Sequence, residues 1–344
     1  MFSLQSLEIP IIAAPMAGGV TTPELVGAVG GAGGVGFVAG GYLSAEGLAH
    51  DMVAQSAKVL FGVNVFLPDD SPFSPKVDAA LTTFREALAP LAEELGVEVG
   101  PAAHDRDDWT AKAELLVEKP VPVISCTFGT PNEQVVERWQ GVGTCVMVTV
   151  TNADEAKRAA AAGVDGLIVQ GPEAGGHRGT FTTAAVPGNT PLVELLAEVR
   201  SAVDLPMVAA GGLMTGAAIR GVLDAGAFAA QLGTAFLLTP EAGTAPAYRA
   251  ALAERRYVET IPTRAFTGRF ARSLANAFVE RFHDVAPAAY PSVYSMTLPI
   301  RRAAAAAGDP DALALWAGTG WREAREAHAG DIVRDLWAEA SKRR

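Results

Sequence analysis

Residues 206–237 have the sequence PMVAAGGLMTGAAIRGVLDAGAFAAQLGTAFL, which contains a complete strand–helix–strand unit. An apolar run at 206–211 ends at Gly211, which a second glycine follows; a segment with helical spacing lies at 215–225, and a second apolar run covers 228–237. Short apolar runs bounded by glycine are typical of parallel strands that are buried on both faces. This stretch therefore predicts two neighbouring parallel strands joined by an outer helix.

The same unit recurs through the first 240 residues. Eight apolar runs rich in β-branched residues alternate with helical patterns, several of which begin at a Ser, Thr or Asn that can act as an N-cap. The runs lie at 9–16, 34–39, 61–67, 121–128, 144–150, 166–170, 206–211 and 228–237. Eight parallel strands with their crossover helices outside close into a barrel. The predicted fold class is α/β, a (β/α)8 TIM barrel with a C-terminal helical extension, and an open doubly wound sheet is the alternative.

Two segments extend the barrel, which we assign to residues 1–240. One is an insertion at about 71–119, and the other is a C-terminal extension at 241–344 with helical patterns at 245–256, 272–282, 298–307 and 322–342. The extension is too long to be one barrel helix, so we expect a lid over the catalytic end or the side of the barrel. Its aromatic residues Tyr290, Tyr294 and Trp316 are interpreted as packing residues, with access to the pocket as the alternative.

Composition excludes several classes of protein. A net charge of -11 and a pI near 5.0 argue against binding to nucleic acid or to an anionic membrane. We interpret the basic cluster of Arg264, Arg269 and Arg272 as a solvated face. The two cysteines, Cys126 and Cys145, offer no metal-ligand spacing, and no apolar run is long enough to span a membrane. We expect a cytoplasmic protein with reduced thiols and no bound metal.

Glycines follow the predicted strands where a barrel places its active site. Gly211 and Gly212 follow the seventh strand, and Gly233 and Thr234 lie in the eighth run. Exposed amides, a helix dipole and a hydroxyl at this position are typical of a phosphate site. At the end of the first strand, residues 14–16 include a proline that stiffens a backbone which a flat ligand can approach. Each loop taken alone is equally consistent with a tight strand-to-helix turn.

The loop after the sixth strand, QGPEAGGHRG at 170–179, contains His177 between glycines. Ordering so many glycines costs conformational entropy, so such a loop indicates that its shape is used. His177 would lie at the catalytic end, where a neutral imidazole can act as a general base, although a structural histidine is the alternative. Asn64 in the third strand would present a side-chain amide at the barrel mouth.

The segments APMAGG, FGVN, VQGPEAGGHRG, AAGGL and QLGTAF occur in this order and together resemble the nitronate monooxygenase family, formerly called 2-nitropropane dioxygenases. Members of that family are FMN-dependent (β/α)8 barrels. YPSVYSMTLPIRRAAAAAGD and LWAGTG resemble its C-terminal segments, although Thr319 stands where the family usually has glutamine. The resemblance implies that His177 is the catalytic base. The cofactor-binding residues that it implies for FMN are Ala14, Pro15, Met16, Asn64, Gln170, Gly175, Gly176, Gly211, Gly212, Gln231, Gly233 and Thr234.

The activity implied by the resemblance is oxidation of a nitronate or nitroalkane by O2 to a carbonyl compound and nitrite. His177 would remove the acidic proton next to the nitro group. One alternative is an NAD(P)H-dependent flavin reductase acting on quinones or enoyl thioesters, and another is a non-catalytic barrel that binds a flavin or a phosphate metabolite. IMP dehydrogenase-like chemistry is excluded because residues 171–180 contain no nucleophilic cysteine. We expect a monomer or homodimer with a small-molecule substrate.

Overall fold

The computed structural model describes residues 7–55, 59–70 and 74–342. Its eight parallel barrel strands are β1 (Ile11–Ala13), β2 (Val35–Ala39), β3 (Phe61–Phe66), β4 (Val123–Thr127), β5 (Cys145–Val150), β6 (Gly166–Gln170), β8 (Met207–Ala210) and β9 (Ala229–Leu232). A short strand, β7 (Gly176–His177), lies outside the barrel. The last barrel strand pairs with the first, with Ala230 opposite Ile11, so the sheet closes. The predicted (β/α)8 barrel is confirmed, and each of the eight predicted runs contains one of its strands.

Side chains alternate between the barrel interior and the layer of helices, as the period of two in a strand requires. Along β1, Ile12 belongs to the cluster inside the barrel, whereas Ile11 and Ala13 pack in the larger cluster outside it. The interior cluster consists of Ile12, Val35, Phe37, Val123, Met147, Ile168, Val208, Ala210 and Ala229. Because these side chains fill the barrel, ligands can approach only at its ends.

Helices surround the barrel as the sequence pattern predicts. Four of them begin at Thr22, Asn132, Asn152 and Thr215, whose side chains each accept a hydrogen bond from the backbone N–H three residues further on. The barrel helices are α1 (Pro23–Gly31), α2 (Ala45–Gln55), α5 (Glu133–Gly141), α6 (Ala153–Ala161), α7 (Leu192–Ala202) and α8 (Gly216–Asp224).

The insertion and the C-terminal extension share a second hydrophobic core. The insertion contains α3 (Pro75–Glu94) and α4 (Trp109–Glu118). Phe84 on α3 packs against Phe282 of the extension, with ring centroids 6.0 Å apart, and Leu81 and Leu88 belong to the same buried cluster. The two segments therefore stabilise each other, although they are far apart in sequence.

The extension is not entirely helical. It contains β10 (Thr260–Thr263) and β11 (Ala271–Leu274), which pair antiparallel, and β7 adds to β11 with His177 opposite Ala271. The predicted helix at 272–282 is therefore wrong in its first part, because pairing with the neighbouring β10 and the distant β7 overrides the local pattern. The helices of this region are α9 (Pro246–Ala253), α10 (Ala277–Phe282), α11 (Ser292–Ala307) and α12 (Ala329–Ala340).

The last helix, α12, packs against α8 and α1 and so completes the ring of barrel helices. These contacts assign α12 to the barrel. The division of the chain into a barrel at 1–240 and an extension at 241–344 stays a prediction. None of the helices within the described residues is long and apolar enough to cross a bilayer.

Candidate active site

A cavity of about 180 Å³ opens at the carboxyl ends of the barrel strands. The structure brings every predicted site residue to its wall. The lining residues that the sequence predicted are Ala14, Pro15, Met16, Asn64, Gln170, Gly175, Gly176, His177, Gly211, Gly212, Gln231, Gly233 and Thr234. Residues that are up to 220 positions apart along the chain thus meet because parallel strands share one carboxyl end.

One end of the cavity is formed by backbone at the ends of β8 and β9. Gly211 and Gly212 have φ values of 124° and 67°, which residues with a side chain rarely adopt. A Cβ on Gly212 would also lie 2.8 Å from the Cβ of Glu173. The Thr234 hydroxyl accepts a hydrogen bond from the Gly318 amide at 3.0 Å, and within the described residues it donates none. Backbone amides at these glycines and a hydroxyl that can donate fit a phosphate group.

Two amide side chains line the middle of the cavity. Asn64 is 2% exposed, and its Nδ2 donates to Ser125 Oγ at 2.9 Å and to Thr127 Oγ1 at 3.0 Å. Gln231 is also buried, and its Oε1 has no hydrogen-bond partner among the described residues. An unpaired buried acceptor costs about 1–3 kcal/mol. Gln231 therefore fits a ligand that carries an N–H or O–H donor, as the ring and ribityl chain of a flavin do.

Gln170 lines the cavity, but its amide holds the loop that carries His177. Its Oε1 accepts from the Gly179 amide at 2.8 Å, and its Nε2 donates to the His177 carbonyl at 2.9 Å. The resemblance implied contact with the cofactor, whereas both polar ends of this side chain serve the loop. The sequence did not reveal this role because the bonds depend on how the loop folds back onto β6.

Replacing Gln170 with Ala should destabilise the fold by about 1–3 kcal/mol, because it leaves the Gly179 amide and the His177 carbonyl without their partner. The free energy of unfolding in urea would measure the effect. Gln140→Ala is the matched control, since the Gln140 amide bonds the Gly163 carbonyl at the surface. The control should change stability by less than about 0.5 kcal/mol. Equal losses in the two variants would contradict the assigned role.

His177 is held by both its backbone and its ring. Pairing of β7 with β11 positions the backbone, and Nε2 lies 2.9 Å from Thr267 Oγ1. The ring centroid lies 5.5 Å from Phe128, 5.9 Å from Tyr290 and 5.5 Å from Trp316, three residues that we call the aromatic shell. Burial in this shell is the main cause that lowers the pKa of His177 to about 3, and the charges of Arg269 and Arg301 lower it as well. The imidazole is therefore neutral at neutral pH and can accept a proton.

The sequence was compared with known protein families and structures. Residues 3–339 match the family model described as nitronate monooxygenase. The chain belongs to the nitronate monooxygenase family. Since this is a family of flavin-dependent oxidoreductases, the protein is an oxidoreductase of that kind.

Similar proteins match this chain over almost its whole length. A probable nitronate monooxygenase from Staphylococcus aureus (strain Newman) is 34% identical, over 96% of this chain and 94% of the relative. The crystal structure of nitroalkane oxidase from Streptomyces ansochromogenes is 45% identical, with a TM-score of 0.92 and coverage of 98% and 97% of the two chains. FabK from Thermotoga maritima is 25% identical, with a TM-score of 0.73 and coverage of 98% and 94%.

The structure places a buried arginine near His177 that the sequence did not predict. Arg269 is 1% exposed, so the interpretation of the cluster with Arg264 and Arg272 as a solvated face is wrong. The Arg269 guanidinium donates to the Thr180 carbonyl at 2.6 Å and lies 4.2 Å from the Phe128 ring centroid. Arg264 and Arg272 are partly buried and donate to backbone carbonyls, because the extension folds onto the barrel loops.

The C-terminal extension supplies cavity residues that the sequence did not assign. Trp316 lines the cavity, so the alternative interpretation, that its side chain reaches the pocket, is correct. Tyr294 stacks on Tyr42 at 4.3 Å, and Tyr42 is itself a lining residue. The lining residues contributed by the extension are Tyr248, Trp316, Gly318 and Gly320. The segment LWAGTG was the signal for three of them, but its place over the barrel depends on tertiary packing.

Proposed function

We propose that this chain binds FMN in the cavity and oxidises nitronates with O2 to carbonyl compounds and nitrite. Neutral nitroalkanes would enter the same reaction after His177 removes their α-proton. The observation that carries the proposal is the neutral imidazole of His177 on the wall of a cavity that Gly211, Gly212 and Gly233 also line. We call these three glycines the glycine cradle. Membership of the nitronate monooxygenase family and the likeness to a nitroalkane oxidase support the substrate class.

The residues present fit FMN. Amides at Gly211, Gly212 and Gly233, together with the Thr234 hydroxyl, would hold the phosphate. The unpaired Oε1 of Gln231 would accept from a polar group of the flavin, and residues 14–16 would line its ring. Bound FMN supplies the electron transfer between nitronate and O2.

His177 would perform the proton step on a neutral nitroalkane. The α C–H bond breaks, an N–H bond forms on the imidazole, and the electron pair moves onto the nitro group to give a nitronate anion. The new imidazolium and the buried charge of Arg269 would both stabilise that anion in a region from which the aromatic shell excludes water. The low pKa keeps the free imidazole unprotonated before the substrate arrives, and it also makes the ring a weaker base than an unshifted histidine.

The overall reaction needs no other reductant. Two nitronate anions and one O2 contain the same atoms and charge as two carbonyl compounds and two nitrite ions. An NAD(P)H-dependent reductase, by contrast, requires a nicotinamide to reduce the flavin. The decisive test is O2 uptake and nitrite release by purified, FMN-loaded protein supplied with a preformed nitronate, without NAD(P)H. Absence of uptake combined with rapid anaerobic bleaching of the flavin by NADH or NADPH would overturn the proposal in favour of a reductase.

We also propose that the part of the 241–344 extension that precedes α12 forms the lid of the cavity, because Tyr248, Trp316, Gly318 and Gly320 line it. A monomer or homodimer remains the prediction for the oligomeric state, which sedimentation of the purified protein would establish.

The pH dependence of turnover should show the lowered pKa of His177. For a neutral nitroalkane, kcat/KM reports the base in the free enzyme, which must be unprotonated to act. Since the pKa of His177 is lowered to about 3, kcat/KM should stay level as pH falls from 7.5 to about 5. An unshifted histidine would lose roughly tenfold by about pH 5.5, because its pKa lies near 6.5. Initial rates measured between pH 7.5 and about 5 would test this expectation. A decline in kcat/KM centred near pH 6.5 would contradict a buried neutral base.

A further inference from the structure

The turn between β10 and β11 brings a threonine hydroxyl to His177. Thr267 is 1% exposed, and its Oγ1 lies 2.9 Å from Nε2 of His177, although the two residues are 90 positions apart. The turn itself is firmly held, because Gly268 N donates to the Arg264 carbonyl at 2.8 Å and Thr297 Oγ1 donates to the Phe266 carbonyl at 2.6 Å. The hydroxyl is therefore a fixed partner for the imidazole.

The hydrogens around Thr267 determine the direction of this bond. A hydroxyl has one hydrogen to donate, and the Arg269 carbonyl, 3.2 Å from Thr267 Oγ1, is placed to accept it. The Arg269 amide in turn donates to Thr267 Oγ1 at 3.4 Å. If the hydroxyl donated to His177 instead, the buried Arg269 carbonyl would lose this bond, which is unfavourable. Donation by His177 Nε2, by contrast, leaves both the hydroxyl and the Arg269 carbonyl with a partner.

A neutral imidazole carries one N–H, so a proton on Nε2 leaves the lone pair on Nδ1. We propose that Thr267 is a positioning residue that keeps His177 in the Nε2–H tautomer, so that Nδ1 is the atom that takes the substrate proton. In that step the substrate C–H bond breaks and an Nδ1–H bond forms, while the C–H electron pair moves onto the nitro group. Nε2–H donates to Thr267 before and after the transfer, so the ring does not have to turn.

The charged and titratable groups that act on this ring come from the extension. Arg269 lies on the same turn as Thr267, Arg301 lies on α11, and the Tyr290 ring centroid is 5.9 Å from that of His177. The two arginines disfavour a second proton on the ring, and burial raises the pKa of Tyr290, which keeps its phenol neutral. The aromatic and cationic surroundings thus favour a neutral ring, and Thr267 selects which of its nitrogens carries the proton.

The inference rests on the proposed role of His177 as base, and its test separates the two. Nitrogen NMR of protein labelled with ¹⁵N-histidine, with His177 assigned by its absence in His177→Asn, reports which ring nitrogen is protonated. Wild type and Thr267→Ser should both show protonated Nε2 and unprotonated Nδ1, whereas Thr267→Val should populate both tautomers. Thr263→Val is the matched control, because its buried hydroxyl lies on the same hairpin and accepts only from the Ala265 amide among the hydrogen bonds of the described residues.

Kinetics supply the second readout. Thr267→Val should lower kcat/KM for a neutral nitroalkane by roughly 10-fold to 100-fold, part of the roughly 10²–10⁴-fold that a general base contributes. The loss on a preformed nitronate should be smaller, Thr267→Ser should restore the rate, and Thr263→Val should resemble wild type. A proton on Nδ1 in wild type, or an unchanged tautomer in Thr267→Val, would overturn the inference. If the tautomers are as expected but nitronate is not oxidised, the proposed function fails and the positioning role of Thr267 stands.

Discussion

Replacing His177 with Asn is expected to lower kcat/KM for a neutral nitroalkane by roughly 10²–10⁴-fold, the usual contribution of a general base. Asn can still donate and accept hydrogen bonds near Thr267, but it has no basic nitrogen to take the α-proton. A preformed nitronate has already lost that proton, so its oxidation should fall much less. Nitrite release measured separately with the two substrates would show the difference.

His50→Asn is the control for this experiment, because the His50 side chain is 85% exposed and lies on α2 outside the cavity. It should turn over both substrates at the wild-type rate. If His177→Asn kept full activity on the neutral nitroalkane, His177 would not be the base. If it lost both activities equally and also lost its flavin, the imidazole would instead support the cofactor.

Gly212→Ala is expected to weaken FMN binding by about 5-fold to 150-fold. The φ of 67° at this position costs a residue with a side chain about 1–3 kcal/mol, and tenfold in affinity corresponds to about 1.4 kcal/mol. The added Cβ would also lie 2.8 Å from the Cβ of Glu173, so the backbone at the end of β8 must shift. Titration of the apoprotein with FMN, followed by flavin fluorescence, would give the dissociation constant.

Gly188→Ala serves as the matched control, because Gly188 has no positive φ and a Cβ there would meet nothing within 4 Å. Its FMN affinity should equal that of wild type. Circular dichroism would verify that both variants are folded. If Gly212→Ala bound FMN as tightly as the control, the cradle at the end of β8 would not be the phosphate site.

Much of the barrel could be predicted because its signals are local. Each strand is a short apolar run, and the glycine or turn residues that end it stand next to it in the chain. The glycine-rich loop after β6 predicted the position of His177 for the same reason. The helix predicted at 272–282 was wrong at its start, because residues 271–274 form a strand. One partner of that strand, β10, is separated from it by a turn, and the other, β7, is distant in sequence.

The sequence by itself determined the barrel, the cavity at the carboxyl ends of its strands and the loop that carries His177. Only the tertiary structure decided that Thr267 bonds Nε2, that Arg269 is buried near the ring and that Trp316 closes the aromatic shell. The physical reason is that a pKa or a tautomer depends on burial, nearby charge and one specific hydrogen bond. The burial of the ring, the nearby charge and this hydrogen bond arise from packing between segments about 90 or more residues apart. A local sequence pattern does not contain that information.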